Sequence, residues 1–200
     1  MQVSDYGWSA HAPGSSDYLN PAVLRLAREA GGTTVLDAGC GNGELAGFLA
    51  ANGFTASGVD ADQTGVEIAQ GRFPDCVFSV SSFDRPPPGF FDLVVSTEVV
   101  EHLYAPHELG TYCFDALKPG GALIMSTPYH GYLKNLALAV AGRWGRHLAP
   151  NWHGGHIKFW DRASLTEMLT QAGFTVTGFT GVGRVPYLWK SMILTARKPG

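Results

Sequence analysis

The sequence predicts an α/β sandwich, with helices on both faces of a mostly parallel sheet. Short apolar strands alternate with single amphipathic helices along most of the chain, and this alternation is typical of right-handed parallel crossovers. The central strand segments are apolar throughout, as strands buried on both faces are. Near the end, two strand segments are joined only by Gly181–Leu188. That link is too short for a crossover helix and predicts an antiparallel hairpin at one sheet edge.

The predicted helices carry apolar residues at helical spacing, and most of them stop at glycine. For the first helix, Asn20 offers an N-cap, Pro21 suits the first helical position and Gly31 supplies the stop. In order, the predicted helices are residues 21–30, a segment marked by Leu45, Phe48 and Leu49, 62–70, about 105–117, 133–141, and a segment capped by Asp161 or Ser164.

The predicted strands are short and rich in β-branched and aromatic residues. Lys118–Gly121 is interpreted as a turn before the fifth strand, because it holds a proline and two glycines. In order, the predicted strands are Thr33–Asp37, Phe54–Asp60, Cys76–Val80, Phe91–Ser96, Ala122–Thr127, Phe174–Thr180 and Trp189–Ala196.

Length and composition predict one domain and argue against several classes of partner. The 200 residues suit a single domain, and 45% hydrophobic content supports a sizeable core. A net charge of −3 gives no basic footprint for nucleic acid and no cationic surface for anionic lipid. The three cysteines are far apart with no CxxC pair, which argues against disulfides or a zinc knuckle. With no signal peptide and no apolar run long enough for a membrane span, we expect a cytoplasmic protein.

The sharpest local signal is the glycine turn Asp37-Ala-Gly39-Cys-Gly41-Asn-Gly43, between the first strand of the alternating run and its helix. Glycine there permits positive φ and lets the backbone approach a ligand, and the following helix N-terminus offers unpaired N–H groups. Asp60 closes the next strand, where a carboxylate can accept hydrogen bonds from ribose hydroxyls. A tight turn alone would explain the glycines, but the whole unit favours a nucleoside ligand. The spacing is GxGxG, whereas dinucleotide folds use GxGxxG.

The chain resembles the class I S-adenosylmethionine-dependent methyltransferases, in a branch similar to the ubiquinone-type O-methyltransferases. The resemblance covers about residues 33–197 in the family's order and is specific for the cofactor rather than for the acceptor. It implies a Rossmann-like three-layer fold whose seven-stranded sheet ends in the antiparallel hairpin. The matching segments are VLDAGCGNG at 35–43, GVDAD at 58–62, FDLVVSTEVVEHL at 91–103, LKPGGALIMSTP at 117–128 and HIKFWDRASLTEMLTQAGF at 156–174.

The resemblance also implies a set of cofactor contacts. Gly39, Gly41 and the neighbouring backbone would face the methionine part, Asp37 its amino end, and Asp60 the ribose. Ser81, Ser82 and Phe83 would flank the adenine, although family members often have an acid here, and Asp84 is a weaker substitute. The expected cofactor-binding residues are Asp37, Gly39, Cys40, Gly41, Asp60, Ala61, Ser81, Ser82, Phe83, Ser96 and Thr97.

An oxygen acceptor must usually lose a proton, and histidine suits that task near neutral pH. His102 and His130 follow the fourth and fifth strands, at the edge where open α/β sheets bind ligands. His153 and His156 bracket two glycines and are interpreted as part of a cover over the site. Each of these has a non-catalytic alternative in packing or capping. The candidate catalytic residues are His102, His130 and His156, and with no third ligand evident for an HxxH pair we expect no metal.

We expect four segments within the one domain: an N-terminal arm and helix at 1–32, the cofactor-binding core at 33–127, an aromatic acceptor-side insert at 128–160, and a helix with the closing hairpin at 161–200. Aromatic residues of the insert would wall the acceptor pocket or cover the sheet edge as core. The N-terminal arm, with Tyr6, Trp8 and Tyr18, would close over the cofactor or pack on the surface. The hairpin turn could serve a homodimer contact.

The predicted function is transfer of a methyl group from S-adenosylmethionine to a small molecule or a glycan- or lipid-linked metabolite, with oxygen the leading target and nitrogen next. One alternative is a nicotinamide-dependent oxidoreductase, against which the GxGxG spacing and the hairpin both argue. The other is a cofactor-binding module without catalysis, which would bind the cofactor but show no turnover.

Overall fold

In the computed structural model, which describes residues 7–148, 150–152 and 154–200, seven strands form one sheet in the order β3-β2-β1-β4-β5-β7-β6. The strands β1 to β5 pair in parallel, and β7 runs antiparallel to both β5 and β6. The predicted seven-stranded sheet with its closing hairpin is therefore confirmed. The strands are β1 Thr34–Ala38, β2 Thr55–Asp60, β3 Val77–Val80, β4 Phe91–Thr97, β5 Leu117–Pro128, β6 Thr175–Val182 and β7 Ser191–Arg197.

Helices cover both faces of the sheet. One buried cluster joins α1, α2 and α3 to the sheet through residues such as Leu19, Leu45 and Val66. The opposite cluster joins α4 and α7 to it through Leu109 and Leu165. The helices are α1 Ser16–Ala30, α2 Glu44–Ala51, α3 Gln63–Arg72, α4 Pro106–Ala116, α5 Tyr132–Val140, α6 Trp144–Leu148 and α7 Arg162–Gln171, with a short 3-10 turn at Val100–His102.

The first helix begins earlier than the sequence predicts. It starts at Ser16, so Pro21 lies inside the helix rather than at its first position. Its early residues bury Leu19, which is 2% exposed and belongs to the core. Burial of that turn stabilises the helix and offsets the cost of the backbone hydrogen bond that a proline inside a helix cannot make.

The predicted turn at Lys118–Gly121 is also wrong, because these residues belong to β5. Phe91 of β4 pairs with Leu117 and Leu93 pairs with Ala122, so five steps along β5 match two along β4. The extra residues form a bulge, and Gly120 adopts φ +75° within it. At α7, Asp161 is the N-cap and forms a capping box with Ser164.

Among the described residues, no helix combines the length and the hydropathy needed to cross a bilayer. The division of the domain into four functional segments stays a prediction. The topology does fix one edge of the sheet, since the carboxyl ends of β1, β2 and β4 lie side by side there.

Candidate active site

The glycine turn after β1 is held against the end of β2. Gly39 N and Cys40 N both donate to the carbonyl of Val59, at 2.8 and 3.0 Å. Gly41 N donates to Asp60 Oδ2 at 2.8 Å, and Asp62 N donates to Asp60 Oδ1 at 2.9 Å. Asp60 therefore fixes the turn with one lone pair on each oxygen and keeps further acceptor capacity for a ligand.

Two positions in this turn require glycine. Gly39 and Gly41 adopt φ +88° and +49°, which side chains rarely adopt. A Cβ at Gly39 would lie 2.4 Å from Val99 Cγ2, and one at Gly41 would lie 2.3 Å from the Trp8 ring. A side chain at either position would therefore collide with the residues that pack against the turn.

A cavity of about 550 Å³ opens beside the turn. Trp8 of the N-terminal arm and Trp152 of the aromatic insert also line it, as do Asn42 and Glu98, which the sequence analysis did not select. The sequence-predicted residues that line this cavity are Asp37, Gly39, Cys40, Asp60, Ala61, Phe83, Thr97, His102 and His156.

The other predicted cofactor residues have different surroundings. Gly41 contributes its backbone N–H to Asp60. Ser96 is 1% exposed, and its Oγ donates to the carbonyl of Ala38 at 2.8 Å, which ties β4 to β1. Ser81 Oγ donates to the Ser82 carbonyl, and Ser82 Oγ donates to Asp84 Oδ1. None of these three serines is among the residues that line the cavity.

Two carboxyl groups, buried Asp37 and partly buried Asp60, make the cavity suited to a cation. Burial, reinforced by the charge of Asp60, raises the pKa of Asp37 to about 7. Burial also raises the pKa of Asp60, although backbone N–H groups of Asp62 and Gly41 oppose that shift. A positively charged ligand would stabilise both ionised forms and lower both pKa values.

His102 lies in the cavity wall, and a backbone carbonyl fixes its tautomer. Its Nδ1 lies 2.7 Å from the carbonyl oxygen of Gly154. Because a carbonyl only accepts, Nδ1 carries the proton in the neutral ring and Nε2 is the basic nitrogen. Burial lowers the pKa of His102 below its usual value, so the ring is neutral at pH 7 and can accept a proton.

His156 packs on His102, with ring centroids 4.9 Å apart. Burial lowers its pKa to about 4, with the charge of His102 adding to the effect. Glu101 is 1% exposed, and its Oε1, 3.9 Å from His102 Nε2, has no hydrogen-bond partner among the described residues. These three side chains place ligand atoms within 4.8 Å of one another. The expectation of no metal at this group stays a prediction.

His130 does not line the cavity. It is 8% exposed and packs its ring against His147 and Phe159, at centroid distances of 5.6 and 5.1 Å. Burial lowers its pKa to about 4. The structure thus brings His102 and His156 together at the site and places His130 in a separate aromatic cluster. His153 lies outside the described residues.

Glu98 is the site residue that the sequence reasoning missed. It follows β4 with φ +55°, a strained conformation for glutamate. Ser126 Oγ donates to its Oε1 at 2.8 Å and Ser191 Oγ to its Oε2 at 3.1 Å. Burial raises its pKa to about 7, with both serine hydrogen bonds opposing the shift. Its place directly before the Val-Val-Glu-His segment was the available signal.

The N-terminal arm lies along the cavity. Asn42 Nδ2 donates to the carbonyls of Ser9 and His11, at 2.8 and 2.9 Å, and so fastens the arm to the glycine turn. Trp8 Nε1 is buried with no hydrogen-bond partner among the described residues. Tyr18 instead reaches Ser191, with its hydroxyl 3.3 Å from Ser191 Oγ. Tyr6 lies outside the described residues.

These features fit S-adenosylmethionine. Gly39 and Cys40 of the glycine turn line the cavity, and Asp60 keeps acceptor capacity at the end of β2. Trp8 Nε1 is a donor in the cavity wall with no hydrogen-bond partner among the described residues. The carboxyl groups of Asp37 and Asp60 match the ligand's positive charges.

Comparison with known proteins agrees with this geometry. A family model described as a methyltransferase domain matches residues 14–178. The chain is 30% identical over 174 residues to the ubiquinone biosynthesis O-methyltransferase of Thiobacillus denitrificans, covering 82% of this chain and 75% of that protein. It is 34% identical over 160 residues to a probable S-adenosylmethionine-dependent methyltransferase of Mycolicibacterium smegmatis, covering 79% of this chain and 58% of the longer relative.

A solved structure shows the same fold. The magnesium protoporphyrin IX methyltransferase of Synechocystis, solved with bound SAH, superposes with a TM-score of 0.70 at 20% identity, over 90% of this chain and 82% of that one. These comparisons give no support to a nicotinamide-dependent oxidoreductase or to a non-catalytic binding module. On the family match and the relatives together, the chain belongs to the methyltransferase-domain family and is a class I S-adenosylmethionine-dependent methyltransferase.

Proposed function

We propose that this methyltransferase acts on a hydroxyl oxygen of a small or lipid- or glycan-linked metabolite. The observation that supports the proposal is a single cavity lined by Gly39 and Asp60 and also by His102. The Gly154 carbonyl leaves Nε2 as the basic nitrogen of His102. The similarity to the ubiquinone biosynthesis O-methyltransferases supports an oxygen target.

On the cofactor side, Asp60 accepts hydrogen bonds from the ribose, and Gly39, Cys40 and Gly41 let the methionine part approach the backbone. Asp37 faces the amino end, where a positive charge lowers its raised pKa. Ala61, Phe83 and Thr97 line the remaining wall. Phe83 is held edge-on by Tyr112 at a centroid distance of 5.2 Å and offers an apolar surface for the adenine.

When bound, S-adenosylmethionine supplies a methyl group on a positively charged sulfur. The protein then needs to align the acceptor oxygen in line with that methyl, exclude water and take up the acceptor's proton. His102 Nε2 is the proposed base, and the Gly154 carbonyl holds its ring in the required tautomer. His156 packs on that ring and limits its rotation.

The base role is tested with His102→Gln, which keeps a polar side chain but cannot take the proton. We expect methyl transfer to a catechol or hydroxyquinol panel to fall about 100-fold or more, with S-adenosylhomocysteine affinity by calorimetry nearly unchanged. Wild-type activity should decline on acidification below the lowered pKa of His102. The variant's residual activity should lack that decline.

The matched control is His107→Gln, because His107 is exposed at the start of α4. Both variants losing activity equally, or a His102→Gln enzyme with wild-type rates and the same acid limb, would contradict the assignment. Turnover confined to amine acceptors would overturn the oxygen target while leaving the family membership intact.

A further inference from the structure

The helix α5 carries its apolar side chains outward. Tyr132, Leu133, Leu136 and Val140 are 78%, 52%, 46% and 82% exposed. At 3.6 residues per turn they fall within an arc of about 100°. Lys134 points the other way, is 5% exposed and donates from Nζ to backbone carbonyls beneath the helix. A helix on a globular surface normally buries its apolar stripe, but this stripe is exposed among the described residues.

Two neighbouring segments also expose apolar side chains. Trp144 of α6 is 44% exposed, and Val185 and Tyr187 of the β6–β7 loop are 63% and 60% exposed. The loop adjoins α5, since Lys134 Nζ lies 3.4 Å from the Lys190 carbonyl oxygen. We name residues 132–148, which include α5 and α6, and loop residues 183–190 the outer face. Large exposed apolar patches mark interaction sites.

The outer face is basic although the chain as a whole is acidic. Between Tyr129 and Trp160 the sequence has four lysines and arginines and no acid, and the loop residues 183–190 add two more cations with no acid, while the chain's net charge is −3. The exposed cations of the face are Arg143, Arg146, Arg184 and Lys190. The expectation of no cationic surface rests on the net charge alone, which averages over all faces of the molecule.

We propose that the outer face docks peripherally on an anionic lipid bilayer. Its cations would pair with lipid phosphates, and the apolar stripe of α5 would enter the boundary between headgroups and acyl chains, in the plane of the surface. A second copy of the chain fits less well, because a two-fold contact would set the same cations against one another. Trp152, which lines the cavity and is 53% exposed, follows α6 closely in the chain. The docked face would thus lie near the route into the site.

Co-sedimentation with vesicles tests this directly. We expect the full chain to pellet with phosphatidylcholine vesicles that contain phosphatidylglycerol, far less with phosphatidylcholine alone, and less as salt screens the charges. Val140→Glu should abolish most of the binding, and Arg143→Gln or Arg146→Gln should weaken it about fivefold each.

Matched controls lie at the other edge of the sheet. Val77 of β3 is 71% exposed and Arg85 is exposed nearby in sequence, so Val77→Glu and Arg85→Gln should leave binding unchanged. Absence of binding to anionic vesicles, equal losses from the control variants, or a wild-type dimer that Val140→Glu makes monomeric would each overturn the proposal. The assay needs no acceptor, so its failure is separate from failure of the proposed methyl transfer.

Discussion

At the scale of single residues, Asp60 combines a structural and a binding task. Its carboxylate accepts from Gly41 N and from Asp62 N, and the ribose is proposed to use its remaining lone pairs. Asp60→Asn keeps the size but replaces one acceptor oxygen by a donor, so we expect S-adenosylhomocysteine affinity to fall about 10- to 100-fold, the worth of a hydrogen bond to a charged group. Isothermal titration calorimetry measures it.

The control for that variant is Asp75→Asn, because Asp75 is exposed and should not influence binding. Unchanged affinity in the Asp60 variant would remove the ribose contact. A thermal unfolding scan of the unliganded variant separates loss of the contact from loss of the turn.

Asp92 is a second residue whose substitution should change the stability of the fold. It pairs with Lys118 Nζ at 2.7 Å and accepts from Thr33 N, Thr34 N and Thr34 Oγ1. The lysine and these donors hold the pKa of Asp92 well below its usual range. Asp92→Asn should lower the free energy of unfolding at pH 7 by about 1–3 kcal/mol.

The stabilisation that Asp92 provides should be lost at low pH. Because the folded pKa is depressed, the stabilisation is complete above the unfolded pKa and is lost as pH falls through the folded pKa. The gap between wild type and Asp92→Asn should therefore shrink in urea unfolding as the buffer is acidified. An exposed control, Asp115→Asn, should show no such gap. A gap that grows with acidification would contradict the assignment.

The residues found from sequence were those with a local signal. Asp37 and Asp60 each end a predicted strand, and the glycines between them share one turn, so their meeting follows from the parallel sheet. The signal for Glu98 was weaker: its sequence position is local, but its positive φ and its bonds to Ser126 and Ser191 depend on three strands meeting. His130 has the expected sequence position, but its ring packs with His147 and Phe159 instead.

At the scale of elements, the β1–α2 turn depends on glycine, which has no side chain. Gly39→Ala would adopt an unfavourable φ and also place its Cβ 2.4 Å from Val99. Gly53 has φ +96° with open space around it, so Gly53→Ala carries the conformational cost of about 1–2 kcal/mol without the clash.

We expect Gly39→Ala to lose clearly more stability than Gly53→Ala in chemical unfolding, and to lose cofactor affinity as well. The difference between the two variants isolates the clash. Equal losses would mean that Val99 moves aside and that the close approach at Gly39 is not needed.

Element boundaries were predictable where the start or stop signal lies in adjacent residues of the sequence. Asp161 with Ser164 marks the start of α7 correctly. Pro21 wrongly suggested the start of α1, because burial of Leu19 extends that helix toward the N-terminus. Lys118–Gly121 wrongly suggested a turn, because pairing with β4 on both sides of these residues keeps them in β5. Helix α5 was found by its apolar residues, but their outward direction depends on Lys134 packing inward.

At the scale of the whole molecule, a small net charge conceals an uneven distribution. The chain carries −3 overall, yet Tyr129–Trp160 has no acid. The alternation of strands and helices predicted the fold class, and the lack of a long apolar run predicted the absence of a spanning segment. The net charge averages over all faces and could not reveal a basic apolar one. The possible homodimer stays a prediction that the vesicle variants also probe.

The position of β7 has a consequence for the order in which the strands assemble during synthesis. β7 lies between β5 and β6 in the sheet but follows both in the chain. On the ribosome, the residues of β6 emerge first and have no neighbour to join until 191–197 appear, at a synthesis rate of about 5–20 residues per second. The five parallel strands can assemble during that interval, and the nascent sheet then has β5 as a transient open edge.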